Sequence, residues 1–423
     1  MTMPDAPAFA FVETGRGAVG LQPLLRAAEL GLRPLLVTAD VGRYTTSDEA
    51  RTLIDRTVHA TVPADTADST SVTEALRPYA ERGGLAGVMA IIDYHVPVVA
   101  ETARALGLPG LSPAAAHIAR NKLRTRRTCA EHGLLTPEFR HARAAGEAVR
   151  AAEAIGFPCV VKPLTESASI GVRLCRTAEE VAEHYAALTA DPRDARGGVK
   201  PDGVLVEEYL IGYEVSVEVV VTAEGPQLIG VTDKSLDAHP YFAEIGETFP
   251  TQLPDTVRDE AAQAALDALK AIGHDFGAAH VEIKMTADGP RLVEINARLG
   301  GAQIGRIIHE ASGIDVVREA IRLHAGGRPD LTVRRRAAAA SRYLTAPADG
   351  VLRGFAGREL LERLPGVCAV DLYAAAGSVV RRVRNNAEVL GHLVVRADTP
   401  AEAARWADTA ALMLRAQVER TPC

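Results

Sequence analysis

The sequence predicts an α/β (α+β) protein in three parts: a doubly wound N-terminal domain, a mixed central domain and a strand-rich C-terminal lobe. Three observations carry that expectation. Up to about Pro113 the chain alternates buried-strand and amphipathic-helix patterns. His280 to Gly301 reads as a hairpin with one apolar and one polar face, and past Gly326-Gly327 short strand-like segments lead to a last helix. A chain of 423 residues, 47% of them apolar, has room for two or three cores. The formal charge of −7 argues against wholesale nucleic-acid binding and leaves small anionic ligands open. Five scattered cysteines without a Cys-x-x-Cys suggest reduced thiols and a cytoplasmic setting. The N-terminal residues show no leader pattern and no apolar run is long enough to span a membrane, so neither secretion nor a membrane partner is expected.

In chain order, Ala8 to Glu13 is a buried strand, Leu21 to about Leu30 a helix and Pro34 to Thr38 a second strand. Between the first two, Gly15, Gly17 and Gly20 match a dinucleotide fingerprint, with Asp40 placed as an acid for a ribose. The alternative is a glycine-rich first turn that binds no nucleotide, and no second site suited to hydride transfer is evident. Ala86 to Ile92 is a strand and Val96 to Leu106 a helix. Asp93, Tyr94 and His95 follow the strand end, where open α/β sheets place ligands, although an ordinary loop explains them equally.

Ala114 to His132 reads as one helix bearing a basic cluster, Asn121-Lys122-Leu-Arg124-Thr-Arg126-Arg127, of the kind usually dismissed as a solvated face. Glu147 to Ile155 is a helix, and the strand Cys159-Val-Val-Lys162-Pro163 ends on a lysine that, if buried, needs an anion. The loop Leu164-Thr-Glu-Ser-Ala-Ser-Ile-Gly171 is rich in hydroxyls and can fold N–H groups around phosphates, yet it lacks a P-loop's Gly-Lys-Ser/Thr. Residues 188–203 look like a surface insertion. Val204 to Leu210 and the stretch after Gly212 form two strands. There Glu214 can accept from ribose hydroxyls and the backbone of Glu208 to Leu210 can meet an adenine edge, unless the pair is a plain hairpin.

In the hairpin itself Val281, Ile283 and Met285 alternate with His280, Glu282 and Lys284, and Val293 and Ile295 with Leu292, Glu294 and Asn296. Asp288-Gly289 supplies the turn. Glu282, Glu294 and Asn296 then share a face, the last two about 6 to 7 Å apart along the strand. Two carboxylates and an amide suit Mg²⁺ completed by phosphate oxygens, and Arg298 lies one alternation further with its fork free for a phosphate. A solvated polar face is the competing explanation.

Taken together, Asn121-Lys122, Val160-Val-Lys162-Pro, Ser169-Ile-Gly171-Val, Val206-Glu-Glu-Tyr-Leu210, Gly212-Tyr-Glu214, Val281-Glu282-Ile and Val293-Glu294-Ile-Asn296-Ala-Arg298-Leu-Gly-Gly301 resemble the ATP-grasp superfamily. They most resemble its carboxylate-amine ligases of the L-amino-acid ligase type. The resemblance implies residues 1–113 as an N-terminal domain, 114–327 as the ATP-grasp domain with a lid at about 133–205, and 328–423 as a C-terminal lobe that covers the site or builds a homodimer. It implies that ATP is held by Lys122, Lys162, Ser167, Ser169, Gly171, Glu207, Glu208, Tyr209, Leu210 and Glu214. Glu282, Glu294 and Asn296 would bind two Mg²⁺, with Mn²⁺ able to substitute.

Arg298, Lys234 and Glu244 take the catalytic positions by the same resemblance. A loop from Thr232 to Glu247, with Tyr241 and Glu247, and Arg306 beyond it, would meet the small-molecule carboxylate and amine. Relatives carry a His at the position of Glu247, so a second acid there favours a cationic amine unless Glu247 is simply solvated. The implied reaction phosphorylates a carboxylate and forms an amide with release of ADP and phosphate. Alternatives are a carboxylase-type enzyme acting on bicarbonate or formate, or a nucleotide-binding module without turnover. The last region holds strands near Arg342 to Leu344, Val367 to Tyr373 and Leu393 to Ala397, then a helix Pro400 to Val418.

Overall fold

The structure is a computed structural model that describes residues 6–15, 20–45 and 48–420. Gly17 lies outside them, so the Gly15 to Gly20 fingerprint is not fully described.

Four parallel strands, β1 (Ala8–Val12), β2 (Arg33–Thr38), β3 (Ala60–Pro63) and β4 (Leu85–Met89), form a sheet in the order β3-β2-β1-β4. Ala8, Ala10 and Val12 face one core cluster and Phe9 and Phe11 another, so β1 is buried on both faces as a doubly wound sheet requires. Strand order reverses beside β1, which opens a crevice at the C-terminal ends. The strand expected to run to Ile92 stops at Met89, and Asp93–His95 form a single 3₁₀ turn at that crevice. Asp40 caps a 3₁₀ turn by accepting from the Gly42 N–H at 2.8 Å.

The basic helix is two helices, Pro113–Arg120 and Lys122–Glu131. Asn121 breaks it, with extended backbone (φ −118, ψ 109) and a side chain that accepts from the Arg124 N–H. Lys122 thereby starts a new helix whose buried side includes Arg126. A small antiparallel sheet follows, made of β5 (Phe139–Ala142), β6 (Cys159–Pro163), β7 (Arg173–Cys175) and β8 (Val204–Glu208) in the order β5-β8-β6-β7. Ala148, Ala152 and Val181 from the helices Ala145–Ile155 and Ala178–Thr189 pack in its core.

The central sheet has eight strands, and each neighbouring pair is antiparallel. It contains β9 (Gly212–Thr222), β10 (Gly225–Leu236), β11 (Glu244–Phe249), β12 (Gly277–Thr286) and β13 (Gly289–Asn296), followed in the chain by β14 (Ala338–Leu344), β16 (Val367–Leu372) and β18 (Gly391–Ala397). Their order is β13-β12-β9-β10-β11-β14-β18-β16. Val215, Val217, Val219, Val281 and Ile283 bury one face against the helix Asp255–Ala271. Period two then turns Glu214, Ser216, Glu218, His280, Glu282 and Lys284 to the other face, where His280 pairs with Glu218 and Lys284 with Glu214 across the ladder.

Four expectations change here. Most of the supposed Thr232 to Glu247 loop is strand, β10 and β11, with only residues 237–243 between them. The helix Ala302 to Ala325 is divided into Ile304–Ser312 and Val316–His324 because Gly313 adopts φ +79 and Asp315 caps the second part. The last helix ends at Met413, and Arg415–Arg420 returns as β19 against β15 (Gly350–Ala356), which also pairs with β17 (Val379–Val380). Finally, β11 pairs with β14, so one sheet runs through the expected boundary at 327.

Candidate active site

The polar face of the central sheet, the inner face of the small sheet and the C-terminal strands enclose a cavity of about 330 Å³. The hairpin register places Glu282 directly opposite Glu294, with His280 opposite Asn296. A bulge leaves Val293 without a ladder partner, and the Arg126 Nη2 donates to its carbonyl at 2.6 Å. Glu282, Glu294 and Asn296 all line the cavity.

Each carboxylate is met by a lysine. The Lys122 ammonium lies 2.8 Å from Glu294 and donates to the Glu166 carbonyl at 2.7 Å. Lys234, 9% exposed, sits among Glu282 at 2.7 Å, Glu244 at 3.1 Å and Glu214 at 3.2 Å. Burial pushes the Lys234 ammonium down, but the three carboxylates outweigh it and hold it well above its usual value. Burial likewise raises the Glu282 carboxyl, while Lys234 and His280 hold it well below its usual range. Against the cost of burial, Glu218 at 2.8 Å and Glu282 lift the His280 ring to about 10, so it stays protonated at neutral pH.

A third cluster lies under the small sheet. Glu207 accepts from the Arg126 Nε and the Lys162 Nζ at 2.7 and 2.6 Å, with all three side chains nearly buried. Burial pushes Lys162 below its usual value with Glu207 opposing, whereas Arg126 and Lys162 keep Glu207 ionised. The expected adenine hinge therefore has a divided character: the Glu207 side chain fixes cations, and Glu208, Tyr209 and Leu210 line the wall.

The loop between β6 and β7 is latched from both sides. Ser167 donates to Asp93 and Tyr94 to Glu166, each at 2.5 Å, and the Asn386 N–H donates to the Ala168 carbonyl at 3.0 Å. Asp93 also holds Arg298 at 2.6 Å, and despite its burial this ion pair keeps the Asp93 carboxyl below its usual range.

Four expected contacts lie elsewhere. Gly171 (φ +73) packs behind the loop near Pro163 and Leu188, and its carbonyl accepts from His184. Tyr241 stacks with Arg384, and Arg306 pairs with Asp371 at 3.0 Å. Glu247 is neither solvated nor on the cavity wall: it is fully buried, accepting from Ser341 at 2.8 Å and Tyr343 at 2.6 Å. Burial, with Glu244 nearby, raises its carboxyl to about 7, so it does not offer a permanent second charge to an amine. Lys122, Lys162, Ser167, Ser169, Glu214, Lys234, Glu244 and Arg298 do line the cavity.

Residues not anticipated complete the wall. Arg126, dismissed with its basic neighbours, is 1% exposed, and its position four residues after Lys122 on the same helix face was the available signal. Leu236 and Phe242, from the stretch expected to meet the substrate, supply apolar wall together with the unanticipated Ile304, and Tyr343, Asn386 and His392 reach in from the C-terminal region with no local motif to mark them.

Among the described residues no three His, Cys, Asp or Glu side chains converge as a self-sufficient metal cage. Two opposed carboxylates and an amide fit instead a hard cation that completes its shell with phosphate oxygens and water. Also among the described residues, no helix is long and apolar enough to cross a membrane.

Comparison with known proteins adds three family matches in chain order: ATP-grasp N-terminal domain over residues 24–110, ATP-grasp domain over 155–306, and L-amino acid ligase C-terminal domain 2 over 342–419. The chain is 29% identical over 377 residues to a Sinorhizobium fredii protein, y4rH, covering 88% of this chain and 75% of that one. It is 29% identical over 341 residues to carnosine synthase 1 of Homo sapiens, covering 76% of this chain but only 40% of the relative's length. The crystal structure of an L-amino acid ligase from Bacillus licheniformis superposes with a TM-score of 0.81 at 20% identity, covering 99% of this chain and 100% of the other.

Proposed function

We propose, from the premise that the chain belongs to the ATP-grasp superfamily, that it is an ATP-dependent ligase forming C–N bonds, joining an amino-acid carboxylate to an amine through an acyl phosphate. The observation that carries this reading is the single cavity running from the Glu208 to Leu210 hinge, past Lys122, Glu282, Glu294 and Arg298, to a wall of Leu236, Phe242, Ile304 and Tyr343. Bicarbonate or formate has no use for that apolar wall.

In this reading Lys122 and Lys162 bind the phosphates and Glu214 the ribose. Residues 133–205 form the lid, and the region after residue 327 carries part of the substrate wall. Glu282, Glu294 and Asn296 would hold Mg²⁺, which supplies charge neutralisation on the phosphoryl oxygens. An oxygen of the substrate carboxylate bonds to the γ-phosphorus as the bond to ADP breaks, and Arg298, released from Asp93, stabilises the transferring group. The amine then attacks the acyl carbon, phosphate leaves with the bonding electrons, and the amine loses a proton as the amide forms. The latches from Asp93, Tyr94 and Asn386 hold the loop over the site and keep water from the acyl phosphate.

The test is a phosphate-release screen of amino acids, singly and in pairs, with ATP and Mg²⁺. Pair-dependent release, with the amide identified by mass, is expected. Release driven by bicarbonate alone would overturn the proposal.

A further inference from the structure

His392 lies on β18, is 6% exposed and lines the cavity. Its Nδ1 is 2.8 Å from the Tyr373 hydroxyl, and the Gln303 Nε2 lies 3.3 Å from the same hydroxyl. The Tyr373 oxygen accepts from the Gln303 amide nitrogen, which leaves its one hydrogen available for His392 Nδ1. Burial brings this imidazole down to about 4, which keeps it neutral, and a neutral ring that accepts at Nδ1 carries its hydrogen on Nε2. That Nε2 is buried with no hydrogen-bond partner among the described residues, a state that costs free energy unless a ligand supplies an acceptor. The Tyr343 ring, 4.3 Å from His392 in a T-shaped contact, also touches Glu244 through its hydroxyl at 3.3 Å. A fixed donor and a fixed acceptor thus flank one aromatic ring.

We propose that His392 is a substrate-binding, specificity-determining residue whose Nε2–H donates to a carboxylate or carbonyl oxygen of an amino-acid substrate, with Tyr373 and Gln303 fixing the tautomer. The assignment rests on the ligase reading for the identity of the substrate, and on the hydrogen-bond geometry for the donor. Substrates that lack an oxygen acceptor at this point bind less tightly.

Two measurements on the full chain decide it. Two-bond ¹H–¹⁵N spectra of the histidine-labelled protein, with His392 identified by its loss in His392→Phe, are expected to show the hydrogen on Nε2. A hydrogen on Nδ1 overturns the proposal. Thermal-shift titrations with MgADP and amino acids, their amides and their decarboxylated amines form the second arm. Wild type is expected to respond to at least one acid or amide, with apparent affinity about tenfold weaker in His392→Phe, partly kept in His392→Gln, and ADP binding unchanged in both. An effect confined to acids identifies a carboxylate, and one shared by amides a carbonyl. Equal affinities in wild type and His392→Phe, or a wild type that responds to no acid or amide, overturn the proposal. A His392-dependent response without phosphate release from any pair sinks the ligase reading and leaves this donor standing.

Discussion

Along the hairpin of β12 and β13, Lys122 and Lys234 stand 2.8 and 2.7 Å from Glu294 and Glu282, whereas the C-terminal wall offers Tyr343, Asn386 and His392, none of them carrying a full charge at neutral pH. At the first end, ammonium and carboxylate wait on one another, and an arriving anion with its counterion exchanges partners with them. No charge has to be buried alone before the ligand arrives, which would be costly. At the second end a ligand finds shape, ring edges and single hydrogen bonds. The first arrangement suits phosphoryl chemistry whatever the acid, and the second suits choosing among acids and amines.

The largest test of that contrast is Glu294→Gln. The partner of Lys122 and, in the proposed reading, one ligand of Mg²⁺ are lost while volume is kept, so kcat is expected to fall about 10³-fold, equivalent to the several kcal/mol a bound metal supplies. An unchanged thermal midpoint separates this from unfolding. Wild-type ADP release from the variant would mean that the paired charges serve stability alone.

Next in size is Arg126→Met. It leaves Glu207 with Lys162 only and strips the donor from the Val293 carbonyl, so stability measured by urea unfolding is expected to drop by about 3 kcal/mol. A loss below about 1 kcal/mol would show that this buried cation is dispensable to the fold.

The smallest effect belongs to the C-terminal side. Because the folded state raises the Glu247 carboxyl from 4.5 to about 7, it binds more protons than the unfolded chain between those values, and stability falls as pH rises through that window. Glu247→Gln is therefore expected to be more stable than wild type above pH 7, by up to about 3 kcal/mol, with the difference vanishing below pH 4.5. A pH-independent difference in denaturation midpoint would place the charge of Glu247 elsewhere.

The same division governs what the sequence made legible. Glu282, Glu294 and Asn296 fall on two adjacent strands, so period two alone places them on one face, and Arg298 follows just past the end of β13. Lys162 and Glu214 likewise announce themselves at a strand's end and start. The other wall comes from β11, β14 and β18, strands up to about 150 residues apart whose register follows from long-range pairing that no local pattern encodes. For that reason the sequence leaves Glu247 as a possible solvated acid, and gives no role to His392, which sits just before the expected strand Leu393 to Ala397 and inside the observed β18. The helix breaks at Asn121 and Gly313 failed differently: apolar periodicity continues across both, and only the capping residues marked them. The β15–β19 pair escaped because its last strand was read as an extension of the final helix.

The pairing of β11 with β14 makes the central and C-terminal regions one cooperative unit rather than two docked ones. Opening the cavity by swinging the C-terminal wall away would tear a ladder, whereas moving the small four-stranded sheet breaks less, since β7 meets the β10–β11 connection through the isolated bridge between Arg173 and Tyr241. Cutting the chain at residue 327 would strand β11 with a bare, mostly buried edge, the kind of template that recruits other chains, and the shortened protein would aggregate rather than report a minimal catalytic unit.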